Sequence, residues 1–390
     1  MDMNNSLLLK MQKNKIWLSA PHMGGKEQQY IQEAFDTNWI APIGPNIDFF
    51  EQSLEHYLGL RYVAALNSGT AAIHLGLILL GVKSGDTVLC QSLTFSASAN
   101  PILYQGAIPI FIDSEAETWN LCPVALEEAI IDQMKKGKKP KAIIAVHLYG
   151  IPYLIDAIRV LADTYGIPIL EDSAEALGSS YKGQKCGTFG DVGIFSFNGS
   201  KIITTSGGGA IVTNSEASKK KAIFYATQSR DDTIHYQHSQ IGYTYRMSNV
   251  CAGIGRGQME VLEKHLESRR AIHQFYTALF EGIDGITVHA VPDDRYFSNC
   301  WLTAILINPV NPYQMKRDQV MHALSQENIE SRPLWKPMHL QPLFKENAYY
   351  GDEVAATLFE HGLCLPSGSN LSNEELNRIK GVFLQLMSLG

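Results

Sequence analysis

Short apolar runs punctuate the first half of the chain and predict strands. They fall at Tyr62–Leu66, Thr87–Leu89, Ile108–Ile112, Ala142–His147, Ile167–Leu170, Val192–Phe197 and Ala210–Thr213. Helical patterns lie between them, over Ala71–Leu80, Val124–Met134 and Tyr153–Tyr165. Alternation of this kind predicts β-α units and a mostly parallel sheet. The first helical pattern is apolar nearly all round, which predicts a buried helix. Beyond about residue 215 the character changes. Met247–Leu279 reads as one long helix. Short strands follow at Thr287–His289 and Leu302–Ile307, with helices at Arg317–Glu327 and Asn373–Met387. The expectation is an α/β fold: a large domain over residues 1–260 with a mixed, mostly parallel sheet, and a smaller α+β domain over 261–390. The prolines of Ser325–Leu343 suggest a loop crossing a site rather than a linker.

Three motifs bring chemistry into this pattern. Asn67-Ser68-Gly69-Thr70 sits between a strand and the buried helix. Gly69 permits close backbone approach, and a helix start offers free N–H groups to a phosphate. The same residues also suit a plain N-cap. The run Leu170–Gly178 puts Asp172 and Glu175 at the C-terminal end of a strand, where ligands of open α/β sheets bind. A buried Asp there needs a cationic partner, such as a protonated pyridinium nitrogen. The alternative is an acidic helix cap. In the third motif a strand runs into Asn198-Gly199-Ser200-Lys201, then into Gly207-Gly208-Gly209 and another strand. Most lysines are solvated surface charges. One held between two strands can be desolvated into a nucleophile toward carbonyls. The glycine triplet lets backbone or ligand come close.

In combination and order these motifs resemble the DegT/DnrJ/EryC1/StrS family of pyridoxal-phosphate (PLP) sugar aminotransferases, a branch of the fold type I, aspartate-aminotransferase-like superfamily. The resemblance covers essentially the whole chain. It implies PLP held as a Schiff base on Lys201, Asp172 on the pyridine nitrogen, and Gly69, Thr70 and Ser196 on the phosphate. Phe95 matches the aromatic position that stacks on the cofactor ring, and Glu175 falls near the cofactor hydroxyl. His147 matches a motif beneath the site and equally suits a satisfied core histidine. Ile241–Asn249 resembles a run that reaches the phosphate of the neighbouring subunit in a homodimer with shared active sites. Thr244 stands there in place of the family's Asn and has a shorter reach.

Three further runs, Ile16–Gly24, Asn38–Pro45 and Ser331–His339, resemble the branch that aminates C4 of UDP-linked 4-keto-6-deoxy sugars, the bacillosamine type. The implied substrate is UDP-2-acetamido-2,6-dideoxy-α-D-xylo-hexos-4-ulose, with L-glutamate as amino donor. Arg246, Arg332 and Lys336 suit a diphosphate. Trp39 and Trp335 suit stacking on uracil or sugar, or simple core packing. A dTDP- or GDP-linked keto sugar is the alternative substrate. A dehydratase of this scaffold would carry His in place of Lys201, and a non-catalytic regulator would be expected to lose Lys201 or Asp172.

The net charge of −7 argues against a nucleic-acid partner and requires any anion site to be locally basic. Six cysteines without C-x-x-C spacing fit a reducing cytoplasm. The longest apolar stretch, Ala71–Val82, falls short of the roughly 20 residues of a spanning helix. Leu7–Leu9 is too short for a signal-peptide core. A cytoplasmic protein without membrane segments is expected. No His/Glu pair has zincin spacing, and His235 with His238 lies in a polar loop without a carboxylate relay, so no metal is expected.

Overall fold

The computed structural model describes residues 14–389, so Leu7–Leu9 lies outside the described residues. Helices α1 (Glu27–Asp36) and α2 (Pro45–Tyr57) precede the first strand. Alternating units follow: β1 (Tyr62–Leu66), α3 (Gly69–Leu79), β2 (Thr87–Gln91), α4 (Asn100–Tyr104), β3 (Ile108–Ile112), α5 (Pro123–Lys135), β4 (Ala142–Val146), α6 (Ile155–Tyr165) and β5 (Ile169–Asp172). A small hairpin of β6 (Ser180–Tyr181) and β7 (Gln184–Lys185) leads to β8 (Val192–Ser196) and β9 (Gly209–Thr213). Helices α7 (Glu216–Ala226), α8 (Asn249–Met259) and α9 (Leu262–Phe280) come next. The C-terminal part holds β10 (Ile286–Val288), β11 (Tyr296–Phe297), β12 (Thr303–Ile307), α10 (Arg317–Gln326), β13 (Arg332–Pro333), β14 (Tyr349–Tyr350), α11 (Val354–His361), β15 (Gly362–Leu365) and α12 (Asn373–Leu389).

The main sheet has eight strands in the order β1-β9-β8-β5-β4-β2-β3-β14. Strand β9 runs against both its neighbours, and the other pairings are parallel. Helices on both faces bury the central strands, so β2 and β4 read as continuous apolar runs rather than alternating ones. Successive residues still point to opposite faces. Val88 and Cys90 join one core with the buried helix α3, while Leu89 joins the other with α5 and α6.

The long helix expected over Met247–Leu279 is interrupted. Helix α8 ends at Met259 and α9 starts at Leu262, with Val261 in a non-helical conformation. The break separates two packing tasks. Helix α8 packs on α1 and α2, while α9 sends Ile272, Tyr276 and Phe280 into a C-terminal core. That core is built on an antiparallel sheet, β10-β12-β15-β13. Three pairings cross a division at residue 260: β14 adds to β3, β11 pairs with β6, and Ile16 bridges to Ile329. Among the described residues no helix is long and apolar enough to cross a membrane.

Candidate active site

The ends of β4, β5 and β8 and the start of α3 open into a cavity of about 270 Å³. Val146, Asp172 and Ser196 bring the three strand ends to its wall, and Asn67–Thr70 bring the helix start. Ser68 is extended and caps α3, its Oγ accepting from the Ala71 N–H at 3.1 Å. The cap holds, and the same helix start also faces the cavity. The first N–H groups of a helix have no partner within it, and Gly69 and Thr70 both line the cavity. Gly209 makes this placement possible. A Cβ there would lie 2.4 Å from the Ser68 carbonyl carbon and 2.5 Å from the Gly69 nitrogen, so only glycine lets β9 pass beside the helix start.

The two carboxylates ending β5 face opposite ways, as strand periodicity requires. Glu171 is fully buried outside the cavity lining. It accepts from the N–H groups of Gly187 (2.6 Å), Phe189 (2.7 Å) and Gly190 (2.7 Å) and pairs with His147 Nε2 at 2.7 Å. Burial alone would raise its pKa, but the His147 and backbone bonds leave it lowered. His147 is thereby a satisfied core histidine, its Nδ1 accepting from the Tyr153 N–H at 3.4 Å. His147, Glu171 and Cys186 lie close enough to hold a metal ion, yet the carboxylate oxygens are already engaged by backbone donors.

Asp172 lines the cavity and is 3% exposed. Its Oδ2 accepts from Ser98 Oγ at 2.6 Å and its Oδ1 from the Ala174 N–H at 3.1 Å. Burial raises its pKa, opposed by these two bonds. Among the described residues no cationic side chain lies within ion-pair distance of it.

Lys201 follows β8 in a turn closed by its own N–H to the Asn198 carbonyl, 3.0 Å. Its Nζ lies 3.6 Å from Glu175 Oε1 and 4.0 Å from the centre of the Trp301 ring. Glu175 also accepts from the Tyr149 N–H at 2.7 Å. Burial raises its pKa and the nearby Lys201 ammonium opposes the shift. Phe95 and Trp335 form an aromatic wall, with centroids 5.4 Å apart.

Of the residues anticipated from sequence, Gly69, Thr70, Phe95, Asp172, Glu175, Ser196, Lys201 and Trp335 share this cavity. The others lie outside its lining. Thr244 is exposed, and its carbonyl accepts from Asn67 Nδ2 at 3.0 Å. Arg246 is engaged by Glu51 and by the Ala65 carbonyl. Arg332 pairs with Glu330 at 2.8 Å. Trp39 and Lys336 are exposed.

Sequence reasoning missed Ser98 and Trp301. The Trp301 Nε1–H donates to the Ser200 carbonyl at 2.7 Å, fixing the backbone beside Lys201. Arg269, fully buried, binds the Trp301 carbonyl at 2.5 Å, the Ser367 carbonyl at 3.1 Å and Ser19 Oγ at 2.9 Å. Ser19 in turn donates to the Ser200 carbonyl at 2.7 Å.

These residues fit PLP. Among the described residues the buried Asp172 has no cation at ion-pair distance, and a protonated ring nitrogen would supply one. The helix start with the Thr70 and Ser196 hydroxyls suits a phosphate, and the Lys201 amine lines the same cavity. Fold and site together define a PLP-binding enzyme of fold type I. The chain belongs to the DegT/DnrJ/EryC1/StrS aminotransferase family, whose model matches residues 21–383.

EpsN of Bacillus subtilis (strain 168), named for a proposed PLP-dependent aminotransferase activity, is 52% identical over 378 residues, covering 95% of this chain and 96% of its own. The GDP-perosamine synthase of Escherichia coli O157:H7 is 37% identical over 356 residues, covering 91% and 94%. The PLP form of Spr1654 from Streptococcus pneumoniae superposes with a TM-score of 0.87 at 27% identity, over 96% of this chain and 99% of that one. Further relatives are named for dTDP-linked and UDP-linked sugars. The protein is a PLP-dependent sugar aminotransferase.

Proposed function

We propose that the protein transfers the amino group of L-glutamate to the C4 ketone of UDP-2-acetamido-2,6-dideoxy-α-D-xylo-hexos-4-ulose, giving the UDP-linked 4-amino-4,6-dideoxy-N-acetylglucosamine. The observation that carries amino transfer is Lys201 Nζ inside the cavity, 3.6 Å from Glu175 and over the Trp301 face. PLP supplies an electron sink that acidifies the carbon bearing the transferred nitrogen. In this reading Lys201 holds the cofactor at rest. It then takes the proton from glutamate Cα in one half reaction and delivers one to sugar C4 in the other. Asp172 pairs with the ring nitrogen, Phe95 stacks on the ring, Glu175 orients its hydroxyl, and Gly69, Thr70 and Ser196 bind its phosphate.

The UDP-sugar assignment is supported by the runs Asn38–Pro45 and Ser331–His339. Trp335 lines the cavity beside Phe95, which suits stacking on sugar or uracil. Lys336 follows it at the surface, and the nearby Arg332 is also exposed, in keeping with a diphosphate running outward. Arg246 leaves the proposed substrate set because Glu51 already engages it. Thr244, exposed beside Asn67 at the cavity edge, is the proposed contact to a second subunit. A GDP-linked 4-keto sugar is the second reading, favoured by the GDP-perosamine synthase relative.

Absorbance of the PLP-loaded enzyme decides between them. L-Glutamate should bleach the visible band, and the UDP-4-keto sugar should restore it. Restoration by the GDP or dTDP analogue alone would overturn the UDP assignment, and failure of glutamate to bleach would overturn the donor.

A further inference from the structure

Asp172 is held by a short chain of hydroxyls. Ser98 Oγ lies 2.6 Å from Asp172 Oδ2, and Thr94 Oγ1 lies 2.8 Å from Ser98 Oγ. Both hydroxyl residues are buried, each 1% exposed. An ionised carboxylate only accepts, so the single Ser98 proton is committed to Asp172. Ser98 Oγ must then accept from Thr94, and the chain has one direction: Thr94 to Ser98 to Asp172. The remaining carboxylate oxygen takes the Ala174 N–H at 3.1 Å. The carboxylate plane is therefore fixed from two sides.

The segment that supplies the hydroxyls also carries Phe95. Ser98 N–H closes onto the Phe95 carbonyl at 3.0 Å, in the turn Ser96–Ser98. One short turn thus brings Phe95 to the cavity wall and holds the carboxylate that lines it.

We propose that Ser98, oriented by Thr94, is a positioning residue that keeps Asp172 ionised and aimed for the ring nitrogen of PLP, and so sets how tightly the cofactor is retained. This rests on reading Asp172 as the partner of that nitrogen. A hydrogen bond to a charged group is the strong kind, and losing it leaves a buried carboxylate under-solvated.

The test is PLP titration of the apo-protein, followed by absorbance and tryptophan fluorescence, for wild type, Ser98→Ala, Ser98→Thr, Thr94→Val and Asp172→Asn. Thermal midpoints and kcat and KM for L-glutamate accompany it. Ser98→Ala should weaken PLP binding about tenfold and lower kcat more than it changes KM. Ser98→Thr should restore both, and Thr94→Val should move both the same way by less. In the Asp172→Asn background, Ser98→Ala should add little, because the two act through one contact. A Ser98→Ala protein with a lowered midpoint but wild-type PLP affinity would overturn the proposal and leave Ser98 a packing residue. If Asp172→Asn itself binds PLP like wild type, the reading of Asp172 falls and the proposal with it. If Asp172→Asn weakens binding and neither Ser98→Ala nor Thr94→Val does, only the hydroxyl chain is wrong. None of these binding readouts depends on the sugar substrate.

Discussion

In the proposed reaction Lys201 carries the greatest consequence of any single side chain. Lys201→Ala should lower turnover by at least about 10²–10⁴-fold, the range of general acid–base catalysis, and should remove the visible band of the PLP-loaded protein. Persistence of that band in the variant would move the attachment point elsewhere. Asp172→Asn should slow both half reactions, because the sink weakens without a stable ring cation. Near wild-type single-turnover rates would count against its role. That Lys201, Asp172 and Glu175 meet in one cavity was legible because each sits in a local motif at or just beyond the end of a strand. Ser98 and Trp301 were not, because their meaning lies in partners 74 and 101 positions away in the chain. No periodicity or spacing encodes such pairs. The acidic cluster also hid a division of labour: Glu171 clamps the Gly187–Gly190 backbone while its neighbour Asp172 lines the cavity.

At the scale of elements, the turn between β8 and β9 is held from both directions. Gly209 lets β9 lie against the start of α3, and Trp301 ties the turn to the C-terminal part. Gly209→Ala should cost about 1–3 kcal/mol, the range for overpacking, because backbone atoms cannot move aside as a flexible side chain would. Denaturant unfolding at neutral pH checks this. A variant as stable as wild type would mean that α3 can shift. Trp301→Phe keeps an aromatic face for Lys201 but removes the donor to Ser200. It should lower kcat with little loss of thermal stability. Equal loss of both would make Trp301 a core residue only. The β-α alternation was read from sequence with few errors because buried parallel strands leave continuous apolar runs. The break at Val261 was not, because neither Gly nor Pro marks it and the helical pattern runs through it.

At the scale of the whole molecule, the buried histidines are expected to contribute to the response to acid. His289 stacks on Trp119 at 3.5 Å, and burial lowers its pKa to about 3. Burial likewise lowers that of His265 to about 4. Each is neutral when folded and takes a proton when unfolded below its ordinary value of 6.5. Their contribution is therefore complete above pH 6.5 and lost as pH falls toward 4 and below. The thermal midpoint should drop across that window, and His289→Phe, which keeps the stacked ring, should flatten part of the drop. An unchanged slope would assign the acid response to other groups, such as Glu171, whose lowered pKa acts only below its ordinary value of 4.5. The threefold crossing of residue 260 was invisible in the sequence, since β14 and β11 are two-residue strands and Ile16 is a single bridge. It bears on how the protein is made. Ile16 emerges from the ribosome long before its seat at Ile329 is synthesised. The eight-stranded sheet likewise waits for Tyr349 and Tyr350. Until Tyr349 and Tyr350 have been made, the β3 edge they pair with stays open, a natural point for a chaperone to guard.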